Sequence, residues 1–412
     1  MKTLQNFALI FLTFTFLFSC QNKPSKDTDL NPDPLLKEGF WKGELKVMDQ
    51  DVPFLFYVNE EDKITIINSE EEIKMEAIEE EGDSATVYFV NYPNYLRFKI
   101  EEDQLSGYYW KTDVGAKSKL DLEATYLGLN QQDYLNSVET DKNIGGNWEI
   151  TFRPKTDLAY PSVGKFRQTG SIVTGTFLKR SGDSRFLKGT LSDSTLSLYA
   201  FDGAQASLYV AKIRGDSIHG KYMPNNYTII EWIGRKNDNF QLESPDSITY
   251  LVENEFKLNL KTVEGEAYNI PNTELKDKLV IIQIMGTWCP NCLDESRFFK
   301  ELYREYHKKG LEILGVSYEY PKNFEDQAAR IKRYAEKEEI PYPILVAGQL
   351  NSENVAEDFY MLNAVVAFPT AIYLNKKGEV VKIHTGFSGP GTGEDYELLK
   401  KDIRQFIEEQ LD

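Results

Sequence analysis

Cysteine and histidine are both scarce, with three of each in 412 residues. Three cysteines cannot brace a disulfide-stapled fold, which needs more pairs. The histidines are scattered at 219, 307 and 384, and only one C-x-x-C occurs, so a four-ligand structural zinc site lacks its donors. Positive charge is also short: 47 Lys and Arg stand against 65 Asp and Glu, a net charge of −18. That excludes nucleic-acid binding as the main task, because phosphate backbones need concentrated Lys and Arg. Beyond the first twenty residues no run is apolar enough to span a bilayer as a helix. The chain does contain 41% hydrophobic and 13% aromatic residues, enough for two or three buried cores.

The N-terminus reads as a targeting segment. Lys2 is followed by an apolar run from Phe7 to Phe18, which at about 1.5 Å per residue is too short for a ~30 Å hydrocarbon core. A secretory h-region is the better reading. The run ends in Leu17-Phe18-Ser19-Cys20 and the polar stretch Gln21 to Lys26, which resembles a bacterial lipoprotein signal. That resemblance implies loss of residues 1–19 and lipidation of Cys20. An ordinary signal peptide with an incidental cysteine is the alternative. Residues 20–38, with Pro24, Pro32 and Pro34, read as a polar tether.

From Gly39 to about residue 240 short alternating runs recur between Asn, Gly and Asp turns, the pattern of an all-β barrel or sandwich. A duplication over 39–128 and 145–236 is one reading. Gly39-Phe40-Trp41 answers Gly146-Asn147-Trp148, and Asp103 to Tyr108 answers Asp216 to Tyr222. Common β-turn edges are the other. Trp41, Trp110, Trp148, Trp232, Tyr108 and Tyr109 are expected as packing rather than a ligand box. The runs Glu70-Glu71-Glu72 and Glu79-Glu80-Glu81 are expected on a solvated surface.

Near 241–246 the pattern loosens, and from 245 to 412 it becomes α/β. Strands are expected at 256–260, 279–285, 311–317, 370–374 and 380–384, and helices at 290–308, 324–337, 351–362 and 395–411. The order β-α-β-α-(α)-β-β-α is thioredoxin-like. At the first strand-to-helix junction stands Trp288-Cys289-Pro290-Asn291-Cys292. Disulfide exchange needs a thiolate, and a helix N-terminus lowers a thiol's pKa from about 8.5. Pro290 suits the first helical position. Cys289 is then the attacking thiol, and Cys292, one turn deeper, resolves the mixed disulfide. Trp288 would cover the thiolate. A static disulfide is a weaker reading, because so small a loop stabilises little. A thiol peroxidase is weaker too, since Thr287-Trp288-Cys289 is one residue short of Thr-x-x-Cys.

Gly286 to Cys292, followed by Asp294-Glu295 and, later, Ala367-Phe368-Pro369-Thr370, resembles the TlpA/ResA-type thioredoxin-like lipoproteins over about residues 245–412. The resemblance implies that Pro369 is cis and lies beside the pair. It also implies that Glu295 is partly buried, tunes the thiols and shuttles a proton at Cys292. A solvated helix Glu is the alternative. Ser296 stands where the family usually carries Pro. Gly386 to Gly393 lacks the Gly-Lys-Ser/Thr ending of a phosphate loop and reads as a loop near the active-site face. The expected architecture is therefore an all-β barrel or sandwich followed by an α/β thioredoxin-like domain. The expected activity is protein-disulfide reduction without a cofactor, in a lipid-anchored, periplasm-facing protein of the cell envelope. Its partners would be exported disulfide-bearing proteins and a membrane thiol donor. The competing reading is a binding or sensing lipoprotein whose β region recognises a ligand, with an accessory redox domain.

Overall fold

A computed structural model describes residues 35–130, 135, 137–253 and 255–412. The leader, Cys20 and the tether up to residue 34 lie outside the described residues. The first module is an antiparallel sheet of β1 (Gly39–Val47), β2 (Gln50–Val58), β3 (Ile64–Asn68), β4 (Glu71–Lys74), β5 (Glu79–Glu81), β6 (Ser84–Tyr88), β7 (Asn94–Glu101), β8 (Gln104–Lys111) and β9 (Leu120–Gly128). Its order is β4-β3-β2-β1-β9-β8-β7-β6-β5. Alternate residues of β1 are buried, Trp41, Leu45 and Val47 among them, as a half-buried strand requires. The last residues assigned to the tether are part of this module. The N–H groups of Leu35 and Leu36 donate to the Asp62 carboxylate at 2.9 and 3.0 Å, and Leu36 is buried. Two leucines after the proline-rich stretch are apolar enough to join the core, and that is the physical reason residues 35–38 belong to this module.

The second module is a closed barrel of β10 (Gly146–Phe152), β11 (Tyr160–Thr169), β12 (Ile172–Leu178), β13 (Leu187–Ser192), β14 (Thr195–Phe201), β15 (Ala206–Arg214), β16 (Ser217–Asn225) and β17 (Thr228–Lys236). Strand β17 closes on β10, with Phe152 opposite Trp232. The rings of Phe152, Phe177, Tyr209 and Trp232 are packed in its core. The two modules share a detail that composition alone would not produce. Trp41 Nε1–H donates to the carbonyl of Lys37 at 3.1 Å, and Trp148 Nε1–H donates to that of Ile144 at 2.8 Å, each four residues upstream. They differ at one strand. Strand β13 pairs with both β12 and β14, whereas the equivalent stretch of the first module is broken into β4, paired with β3, and β5, paired with β6. A Met75–Phe89 bridge spans that seam. The modules pack on each other through aromatic side chains, Phe54 and Phe201 having ring centroids 4.7 Å apart.

The third module is a sheet of β18 (Leu258–Lys261), β19 (Ala267–Ile270), β20 (Leu279–Met285), β21 (Leu311–Glu319), β22 (Ile344–Gln349), β23 (Thr370–Leu374) and β24 (Val380–Thr385), in the order β19-β18-β22-β21-β20-β23-β24. Its helices are α1 (Pro245–Ile248), α2 (Pro290–Tyr306), α3 (Phe324–Lys337), α4 (Ser352–Asp358) and α5 (Glu394–Leu411). Strand β20, buried at every residue, runs parallel to β21 and antiparallel to β23. This is a thioredoxin-like arrangement. Strand β22 was not expected from the sequence, because Pro341 and Pro343 precede its short apolar run and read as breakers. The loosened stretch before it is anchored: Ser244 caps α1, and Asp246 pairs with His384 and Lys382 of β24.

Candidate functional site

Strand β20 ends at Met285 and turns through Gly286-Thr287-Trp288 into α2. The turn is fixed by the Cys289 N–H on the Gly286 carbonyl at 3.1 Å. No side chain fits at Gly286, where a Cβ would lie 2.1 Å from Trp288 Nε1 and 2.8 Å from the Tyr318 carbonyl. Trp288 Nε1–H donates to that same carbonyl at 2.8 Å. Thr287 donates its N–H and hydroxyl to the buried Glu319 carboxylate, at 2.9 and 2.8 Å. Burial pushes Glu319 up, and these hydrogen bonds oppose the push. Sequence reasoning passed over Glu319. A lone acid at the end of an apolar strand was the available signal.

Cys289 is the N-cap of α2, and the N–H of Cys292 donates to its Sγ at 3.2 Å. In the structure the two cysteines form a disulfide, with Cα atoms 5.2 Å apart. Once reduced, a Cys289 thiolate would sit on the free N–H groups and positive end of the helix, which favours the charged sulfur. Cys289 is 5% exposed and Cys292 0%. The Phe368–Pro369 peptide is cis, and the Phe368 carbonyl lies 3.6 Å from Cys289 Sγ. Trp288 packs at a tilt against Phe368 and Tyr320, at 5.7 and 5.3 Å between centroids.

Glu295 is 1% exposed, so the solvated alternative does not hold. Burial pushes its carboxyl up to about 8, against a smaller opposing hydrogen bond from Gln283, and its Oε2 has no partner. Gln283 is a second residue that sequence reading missed. It is the one polar residue of β20, fully buried, and its amide donates to the Cys292 carbonyl at 3.3 Å. Ser296 donates its hydroxyl to Gln283 Oε1 at 3.1 Å. The serine in place of proline thus carries its own contact beneath the pair.

The other side of α2 meets the β modules. Arg185, in the loop between β12 and β13, is buried among Glu71, Asp202 and Asp294. Its Nη1–H donates to the Pro290 carbonyl at 3.1 Å and lies 3.4 Å from Asp294 Oδ2. Burial pushes Asp294 up to about 6, with Arg185 holding it down. Glu71 therefore does not lie on a solvated surface. Its side chain is largely covered and pairs with Arg185, because the broken strand of the first module points it into this junction. Glu79, Glu80 and Glu81 are exposed.

Residues 253–383 match the AhpC/TSA family. The thiol-disulfide oxidoreductase ResA of Halalkalibacterium halodurans is 32% identical over 142 residues, which is 34% of this chain and 72% of that protein. The chain belongs to this thiol-disulfide oxidoreductase family. ResA of Geobacillus thermodenitrificans is 31% identical over 151 residues, covering 36% of this chain and 71% of that protein. The structure of StoA from Bacillus subtilis is matched at 23% identity, over 35% of this chain and 94% of that one, with a TM-score of 0.26. The matched segment of this oxidoreductase is the redox module, and the family's disulfide chemistry is assigned to it.

Proposed function

We propose that the protein is a lipid-anchored reductase of disulfides in exported proteins, working outside the cytoplasm on electrons from a membrane thiol donor. The observation that carries the chemistry is Cys289 at the N-terminus of α2, bonded by the Cys292 N–H, with the buried, mostly protonated Glu295 one turn beyond Cys292. The leader and the Cys20 pattern support the location. The reduced Cys289 thiolate attacks one sulfur of the substrate disulfide, and the other sulfur leaves and takes a proton. Cys292 gives its proton to the ionised fraction of Glu295 and attacks Cys289. The second substrate thiol departs, and two electrons have passed from the enzyme dithiol to the substrate. The membrane thiol donor then reduces the enzyme disulfide.

Insulin-type reduction by the wild type and by Cys289→Ser and Cys292→Ser tests the chemistry. Equal inertness of all three ends the catalytic reading. Direction is tested by potential: a value near about −270 mV supports reduction, and one near about −120 mV makes the protein an oxidant instead. Labelling with palmitate in a bacterial host, lost in Cys20→Ala, tests the anchor. Unchanged labelling removes it.

A further inference from the structure

The Gly386 to Gly393 loop has a structural occupant. The barrel loop 179–186 is seated on it in backbone contact. A Cβ at Gly386 would lie 2.2 Å from the Arg180 carbonyl, and one at Gly391 would lie 2.6 Å from Asp183 Oδ2 and 2.7 Å from the Arg185 carbonyl. The Gly389 N–H donates to Asp183 Oδ1 at 3.1 Å. The same barrel loop grips the C-x-x-C itself. Asn291 Nδ2 donates to the carbonyls of Ser181 and Asp183 at 3.3 and 3.2 Å, and Arg185 reaches the Pro290 carbonyl. At its rear the loop is fixed to the barrel wall. The Ser184 N–H donates to the Phe177 carbonyl, and Tyr209 OH donates to Ser184 Oγ at 3.2 Å. It is a post held from both ends.

Another contact joins the first module to the redox module: Asp113, in the turn after β8, forms a two-pronged ion pair with Arg330 of α3. Near Cys289 the partly exposed side chains include Trp288, Phe368 and Tyr320, the last 43% exposed. We infer that the barrel loop 179–186 is a steric filter on the exchange reaction, admitting a disulfide on an extended peptide segment and excluding one set in the surface of a folded protein. An extended strand is only about 5 Å wide. A folded partner would have to lay a surface of several hundred Å² across this loop to bring its sulfur to a cysteine that is 5% exposed. This inference rests on the reductase reading and deepens it by naming the substrate class.

The test uses the full-length protein in its reduced state and three disulfides: a small aryl disulfide, a flexible peptide disulfide, and the native surface disulfide of a stable folded protein. Each rate is divided by that of dithiothreitol on the same compound, which removes intrinsic reactivity. The expected result is a peptide rate at least about tenfold above the folded-protein rate on this scale. A ratio near one overturns the filter. If the aryl disulfide is not reduced either, the reductase reading fails instead. In Asp183→Ala, which loses the Gly389 contact, the folded-protein rate should rise severalfold relative to the peptide rate. An unchanged ratio in folded variant also counts against the filter. Should that variant not fold, Gly391→Ala displaces the same loop from the other side, and the wild-type ratio decides by itself.

Discussion

Asp294 and Glu295 are neighbours on the first turns of α2, and the helix turns them about 100° apart. Both are buried, at 5% and 1% exposure. Glu295 faces the interior of the redox module, meets no cation and is pushed up to about 8. Asp294 faces the barrel, meets Arg185 and is pushed only to about 6. One carboxyl is therefore kept largely protonated at pH 7 and exchanges its proton near neutrality, and the other is kept charged, as part of a joint between modules. Helix α2 thus divides its labour by face: chemistry inward, assembly outward.

Removing the cation should have the largest effect on the outward face. Arg185→Met leaves Glu71, Asp202 and Asp294 buried without their counter-charge. Breaking a buried pair from one side costs about 3–5 kcal/mol. Urea unfolding should show that loss, and the redox module should separate from the β modules as its own transition. A loss under about 1 kcal/mol, with one transition retained, would mean that the cluster does not join the modules.

The converse change acts on the inward face. Glu295 has its folded-state pKa raised, from 4.5 to about 8, so the folded protein binds the extra proton. Stability is then full at low pH and falls as pH rises between those values. Integrated to pH 7, the burial costs roughly 3 kcal/mol. Glu295→Gln should recover that amount at pH 7 and flatten the stability profile from pH 5 to 8. It should also slow the step in which Cys292 resolves the mixed disulfide. A variant no more stable at pH 8 than the wild type would show that the carboxyl reaches solvent or a partner.

Asp294→Asn gives a smaller effect in a lower window. Its raised folded pKa again means stability lost as pH rises, here between 3.8 and about 6. Removing the charge relieves that burial but takes a counter-charge from Arg185. The two oppose, and the net change at pH 7 should stay within about 1 kcal/mol. Flattening confined to below pH 6 separates the outward face from the inward one. Flattening up to pH 8 would merge them.

How much of this was legible in the sequence depends on where the partner of each residue lies. The C-x-x-C, Pro369 and the burial of Glu295 follow from local order and the family pattern, because strand, turn and helix are contiguous there. The β architecture was legible in the short alternating runs, and the matched Trp41 and Trp148 each bond a carbonyl four positions away. Arg185 was not legible. Its partners at 71, 202 and 294 come from three modules, and a lone Arg in a turn carries no local mark. Glu71 was misread for the same reason: a run of three acids reads as solvated until a distant cation turns one of them inward. The glycines at 386, 389 and 391 announced a close approach without saying what approaches.

The smallest prediction probes how finely the inward face is set. Ser296 holds Gln283 Oε1 at 3.1 Å, while the Tyr342 hydroxyl reaches the same oxygen only at 3.5 Å. Ser296→Ala loses one buried hydrogen bond, worth about 1 kcal/mol in urea unfolding. Gln283 then sits less firmly against the Cys292 carbonyl and against Glu295. The Gln283 bond holds the Glu295 pKa down, so loosening it should move Glu295 further up and shift the pH profile of the resolving step to higher pH. The Asp294 window should not move, because Arg185 and the barrel are untouched. A profile that stays in place while stability falls would make Ser296 a packing residue only, and the tuning of Glu295 would then rest on burial alone.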